Sequence, residues 1–178
     1  MHHAYFPAMK LRNVANLLGS LAVLITDEMS EAVSREHSPA ECAAILVLDK
    51  YPGASIEELR GPLALSHSGC VRLVDRLEGE GYVERRAGTD ARAVAISLTR
   101  KGRDAAAHAR ARREEVLLSA VSTLTRDEQE ILGDLVTKLL DRKVVVPRVA
   151  MRTCRLCDYV ACVSCPMHKF AAEGDLES

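Results

Sequence analysis

Aromatic side chains are scarce in this chain: its 178 residues include two Phe, four Tyr and no Trp. With 48% of residues hydrophobic, a real core is possible, but it has to be mostly aliphatic. No apolar run is long enough to span a bilayer and no signal peptide is recognised, so a cytoplasmic protein without membrane contact is expected. No nucleophile and base stand together, and no open metal site has a general base beside it, so catalysis is not expected. A large charge excess is also missing, with 24 Lys and Arg against 25 Asp and Glu. The length suits one domain, or one domain with an appendage.

The charge that is present is unevenly placed. Between Ser66 and Arg103 there are eight Arg or Lys and five Asp or Glu, a local +3, which leaves −4 for the rest of a chain whose total is −1. The stretch from Ser55 to Leu98 reads as helix, tight turn, second helix and two-stranded hairpin. Ser55 is the cap of a short helix to Arg60, with Glu57 and Glu58 in the first turn, where exposed amide dipoles favour anions. Gly61–Pro62 punctuates it, and Ser66 caps the second helix, about Ser66–Glu80. Cys70, Leu73, Val74 and Leu77 fall at i, i+3, i+4 and i+7, one buried stripe, and leave His67, Ser68, Gly69, Val71, Arg72 and Arg76 on other faces. Gly81–Tyr82–Val83 ends that helix and opens a strand. Val94, Ile96 and Leu98 alternate as the returning strand, and the cation-flanked turn Arg85–Arg92 lies between. A helix and a hairpin tip that share positive charge suit a DNA backbone.

Taken in order, Leu65–Ser66, Arg72–Leu73–Val74–Asp75–Arg76–Leu77–Glu78, Gly81–Tyr82–Val83–Glu84–Arg85, Asp90–Ala91–Arg92–Ala93–Val94 and Leu98–Thr99–Arg100–Lys101–Gly102 resemble the MarR family of bacterial transcription regulators. The resemblance runs from about Leu11 to Val144; the tail from Val145 lies outside the usual family core. It implies a winged helix-turn-helix homodimer on a pseudo-palindromic operator, one recognition helix per half-site in the major groove and each wing reaching toward the minor groove. It also implies an organic acid or aromatic effector between the DNA lobe and the dimer helices. The family signature has arginine between the wing's Asp and Arg, whereas this chain has Ala91.

The expected organisation is therefore mainly α with a small β-hairpin wing. Residues 1–37 give an N-terminal dimerisation helix, 38–98 the winged helix-turn-helix, 99–144 two C-terminal dimerisation helices and 145–178 a cysteine-rich tail. The first helix should span about Pro7 to Arg35, with an apolar stripe through Leu11, Val14, Leu17, Leu18, Leu21, Leu24 and Ile25 that a small lobe cannot cover alone. Ser38, Pro39 and Glu41 make a capped helix start. Thr99 caps a helix to about Val121, in which Gly102 looks merely tolerated. Thr125 and Glu128 form a capping box ahead of Ile131, Leu132, Leu135, Val136, Leu139 and Leu140. These end helices need more apolar cover than they can give each other, and two-fold pairing supplies it.

For DNA, the expected contact set is His67, Ser68, Gly69, Val71, Arg72, Arg76, Arg85, Arg86 and Arg92, with Asp90 bracing the wing. Arg72 can grip a guanine edge or a phosphate with its planar fork; the competing reading pairs it with Glu78 or Asp75. Val71 suits a thymine methyl or simple packing. Arg76 either touches phosphate or reaches Asp90. Arg85 and Arg86 suit phosphate contacts more than base discrimination.

Cys42 and Cys70 stand alone. Cys42, near a helix start, is read as an oxidant sensor or, more simply, as a small buried side chain, and Cys70 sits on the core stripe. Cys154, Cys157, Cys162 and Cys165 fall within twelve residues as two CxxC pairs, the spacing of a four-cysteine zinc knuckle; an iron–sulfur cluster and a dithiol switch are the alternatives. The expected function is a dimeric, sequence-specific transcription regulator, a repressor, carrying this zinc site. Alternatives are a redox- or iron–sulfur-responsive regulator and a winged-helix scaffold that binds protein rather than DNA.

Overall fold

The computed structural model describes residues 11–33, 37–87 and 94–158. Seven helices and one hairpin follow in chain order among them: α1 Leu11–Val33, α2 Pro39–Lys50, α3 Ile56–Leu63, α4 His67–Gly79, β1 Val83–Ala87, β2 Val94–Leu98, α5 Arg100–Val121, α6 Arg126–Lys143 and α7 Pro147–Thr153. Most start where a side chain replaces the missing helical acceptor. Ser38, Ser55 and Thr125 take the N–H of Glu41, Glu58 and Glu128, and each glutamate returns a bond to the cap's own N–H. Ser66 and Thr99 accept from Gly69 and Gly102.

Cys70, Leu73, Val74 and Leu77 of α4 are buried as their spacing requires, and close on Ile45 and Leu48 of α2, Leu59 of α3 and Ile96 of β2. The strands pair antiparallel with Val83 opposite Leu98 and Ala87 opposite Val94. Ala54, in the α2–α3 connection, adds a short bridge to Ile96 on the other edge of β2. The core is thus aliphatic and lies inside the lobe formed by α2, α3, α4 and the hairpin, with Ala106 and Ala109 of α5 sealing one side.

Three features depart from the sequence reading. Helix α3 does not stop at Gly61–Pro62: it runs to Leu63, because a proline near a helix end forfeits only one ladder bond, and Ala64 then ends it in the left-handed region at φ 55°. The tail holds a helix, α7, with Pro147 in its first turn. Val144 and Ala150, with Leu140 and Cys154, close the corner between α6 and α7, and α7 packs along α3.

The third departure is the metal knuckle. Among the described residues no group of three His, Cys, Asp or Glu is placed to hold a metal ion, so the zinc site and its iron–sulfur alternative on Cys154, Cys157, Cys162 and Cys165 are withdrawn as features of the fold. Cys162 and Cys165 lie outside the described residues. Cys154 is the C-cap of α7: its N–H bonds Ala150, and its carbonyl receives the N–H of Cys157 at 3.0 Å. A tight turn that seats Leu156 against the lobe core is what the CxxC spacing builds here.

No helix among the described residues is long and apolar enough to cross a membrane. Large apolar side chains nonetheless stand in solvent along α1 (Leu11, Val14, Leu17, Leu18, Leu21, Leu24) and α6 (Ile131, Leu135, Val136, Leu139), and α6 buries none of its residues within the chain.

Candidate nucleic-acid interface

Helix α4 turns its apolar stripe inward and leaves a polar, cationic face outward, and the geometry of that face is set by its neighbours. The Ser66 hydroxyl accepts the Gly69 N–H at 3.1 Å and lies 3.3 Å from the Ser68 hydroxyl, so both serines are exposed at the helix start. His67 is exposed, with Nδ1 3.7 Å from Glu57 of α3. Val71 is half-buried.

The cations of the segment divide into those held within the fold and those that are not. Arg76 is tied to Glu41 of α2, Nη1 to Oε1 at 2.9 Å. Arg85 of β1 donates to Glu78 with both its backbone N–H and its guanidinium, and its other nitrogen reaches Asp75 at 2.5 Å. Burial works against the charge on Arg85, but Asp75 and Glu78 outweigh it and hold the guanidinium firmly protonated. Arg86 pairs with Glu84 on the exposed side of the strand. Lys101 donates to the Glu80 carbonyl at 2.8 Å and lies 4.0 Å over the Tyr82 ring, and Arg103 donates to the Leu98 carbonyl.

Among the described residues, two cations of this segment have no partner: Arg72, exposed on α4, and Arg100, exposed at the first turn of α5. The carboxylates that the sequence offered to Arg72 are taken by Arg85, which leaves the α4 guanidinium open to an external ligand. Sequence reasoning missed Arg100, although its place directly after the returning strand was visible, and it missed Glu41 as the anchor of α4. Arg92, Asp90 and the rest of the wing tip lie outside the described residues.

The two single cysteines are core residues. Burial, with Glu41 nearby, pushes the Cys42 thiol up to about 11, and burial also raises Cys70, whose sulfur points at the Ile56 carbonyl at 3.6 Å. A thiol held protonated and out of solvent is a poor oxidant sensor.

Two helices joined by a tight turn, the second presenting an open guanidinium, followed by a basic hairpin, define a winged helix-turn-helix DNA-binding protein. The family model described as MarR family matches residues 38–93, from the α2 cap through the wing. Over that segment the chain is similar to the DNA-binding lobe of MarR-family regulators. It is 28% identical over 116 residues to the uncharacterized HTH-type transcriptional regulator YwhA of Bacillus subtilis, covering 64% of this chain and 84% of that one. A MarR family protein from Bacillus stearothermophilus superimposes with a TM-score of 0.66 at 25% identity over 76% of this chain and 98% of that one. The Mycobacterium tuberculosis MarR family protein Rv2887, solved in complex with DNA, gives 0.60 at 23% identity over 74% and 98%.

Proposed function

We propose that this chain is a cytoplasmic, sequence-specific repressor that lays α4 in the major groove of each half-site, with Arg72 as the principal base or phosphate contact. The observation that carries this reading is the open Arg72 guanidinium beside two arginines, Arg76 and Arg85, whose charge is already used inside the fold. His67, Ser68, Gly69 and Val71 share its helix and complete the contact surface. Arg86 and Arg92 serve the flanking backbone, with Asp90 supporting the wing, and Arg100, next to the base of the hairpin, adds a phosphate contact. Arg76 and Arg85 act by fixing α4 rather than by touching DNA. The apolar faces of α1 and α6 meet their counterparts in the second copy. A small organic acid or aromatic compound is the effector class that fits; the related Rv2887 was solved in complex with p-aminosalicylic acid.

Gel retardation of DNA upstream of the protein's own reading frame tests the assignment. Arg72→Ala should weaken specific binding more than nonspecific binding, because a bidentate base contact contributes ~1–3 kcal/mol of discrimination. Equal losses on cognate and random duplexes would reject Arg72 as a base reader. A wild-type protein that retards neither would favour a protein-binding scaffold.

A further inference from the structure

Among the described residues, the α6–α7 corner is packed on one side and bare on the other. On the inner side Val144 and Ala150 are 3% and 4% exposed and close with Leu140 and Cys154 over the α6–α7 corner. Met151 reaches α3, its Cε 3.8 Å from where a Cβ on Gly61 would stand. On the outer side Val145, Val146 and Val149 are 68%, 46% and 41% exposed. The arrangement closes a loop in the chain. Helix α5 runs about 33 Å from the reading lobe over its 22 residues, α6 returns over 18, and α7 fastens that returning end to α3.

The surroundings of the three valines indicate what covers them. They continue the bare apolar face of α6, where Leu139 stands exposed next to the Leu140 that packs beneath α7. The exposed charges nearest them in sequence are mostly basic, Arg142, Lys143, Arg148 and Arg152 against Asp141. Helix α1 offers the complement, exposed Leu21, Val23 and Leu24 beside exposed Asp27, Glu28 and Glu31. Duplex DNA would match the four cations but leave three valines without a partner.

We propose that the exposed valines of the α6–α7 connection and the start of α7, Val145, Val146 and Val149, are covered by the second copy of this chain, as an extension of the dimer surface, so that α7 is a strut between the partner subunit and α3 of its own reading lobe. This rests on the assignment of the α6 face to the dimer. A displacement of the partner against α7 is then passed to α3 and through the shared core to α4, which ties the tail to the spacing of the two readers.

Full-length wild type, Val145→Glu/Val149→Glu and Leu135→Glu are compared by sedimentation equilibrium, with hydrogen exchange of wild-type residues 145–149 across the same concentrations. The double variant should keep its helical circular dichroism and weaken the dimer at least tenfold, and the wild-type amides should gain protection as dimer forms. If Leu135→Glu abolishes the dimer while the double variant pairs like wild type and exchange at 145–149 ignores concentration, the strut is overturned and the α6 assignment stands. If Leu135→Glu also pairs normally, the α6 assignment itself fails. Protection that appears only on adding duplex DNA would give the face to DNA and likewise overturn the proposal. Should the double variant misfold, the wild-type exchange series decides.

Discussion

Arg76 Nη1 stands 2.9 Å from Glu41 Oε1, and the second oxygen of the same carboxylate accepts the Ser38 N–H at 2.8 Å. One buried side chain thus caps α2 and anchors the outward face of α4. The two residues are 35 positions apart, so the bond fixes the angle between the helix that starts the lobe and the helix proposed to enter the groove.

Glu41→Gln should therefore cost stability and disturb α4. Burial alone would raise the Glu41 carboxyl, but the Ser38 backbone bond and then Arg76 outweigh it and hold the group below its ordinary 4.5. A depressed carboxyl contributes stability that is present above 4.5 and lost as pH falls through the lower folded-state value. The Arg76 end is solvated, so the expected loss at neutral pH is ~1 kcal/mol, mainly the charged cap. Denaturant titrations should show wild type and Glu41→Gln converging as pH drops below 4.5. A gap that stays constant to pH 3 would separate the cap from its charge.

Gly102 is demanded by a close approach and not by backbone conformation. A Cβ there would stand 2.0 Å from the Tyr82 carbonyl oxygen and 3.1 Å from Leu98 Cδ2. A backbone atom cannot rotate aside, so Gly102→Ala should cost about 3 kcal/mol, the upper end for overpacking, and loosen the seat of the wing on α5. Gly79→Ala, with nothing within 4 Å of the added carbon, is the matched comparison and should be neutral or stabilising by up to ~1 kcal/mol. Thermal unfolding of the two variants distinguishes a packing demand from a general glycine effect.

How far such features can be read from the sequence depends on whether their cause is local. The stripe Cys70, Leu73, Val74, Leu77 and the boxes Ser38/Glu41 and Thr125/Glu128 lie within one or two turns, and the structure contains them as read. Charge partners across the fold were not legible. Asp75 and Glu78 sit on the helix of Arg72, yet the strand delivers Arg85 to them, and Arg76 finds Glu41 on a different helix. Gly102 looked merely tolerated because the Tyr82 carbonyl is distant in sequence. Helix α7 is seven residues long, too short for a periodic signal, and it takes Cys154 as its cap, which the spacing of sulfurs alone could not reveal.

Ala64 should be improved by losing its methyl group. It closes α3 at φ 55°, where a Cβ crowds the following carbonyl at ~1–2 kcal/mol, while its N–H caps Arg60 and Gly61. Glycine relieves that strain but widens the unfolded ensemble, so Ala64→Gly should gain a net ~0.5–1 kcal/mol in denaturant titration, with DNA binding unchanged because the side chain points to solvent. A loss of stability would mean that the methyl group packs usefully in the turn before α4.

Cys157 should be the most readily alkylated of Cys42, Cys70, Cys154 and Cys157. A hydrogen bond from Cys154 first, and Arg113 and Lys50 after it, overcome burial and the repulsion of Asp158 to bring its thiol down to about 6. Cys157 is also half-exposed, whereas Cys42 is buried with its thiol near 11. Iodoacetamide labelling read by peptide mass spectrometry over a pH series should show a Cys157 rate that rises around pH 6 and then levels, with Cys42 silent until the protein unfolds. In Cys154→Ala the Cys157 midpoint should move upward by at least one pH unit. A wild-type midpoint near 9, the ordinary thiol value, would show that the Cys154 bond does not hold the thiolate in solution.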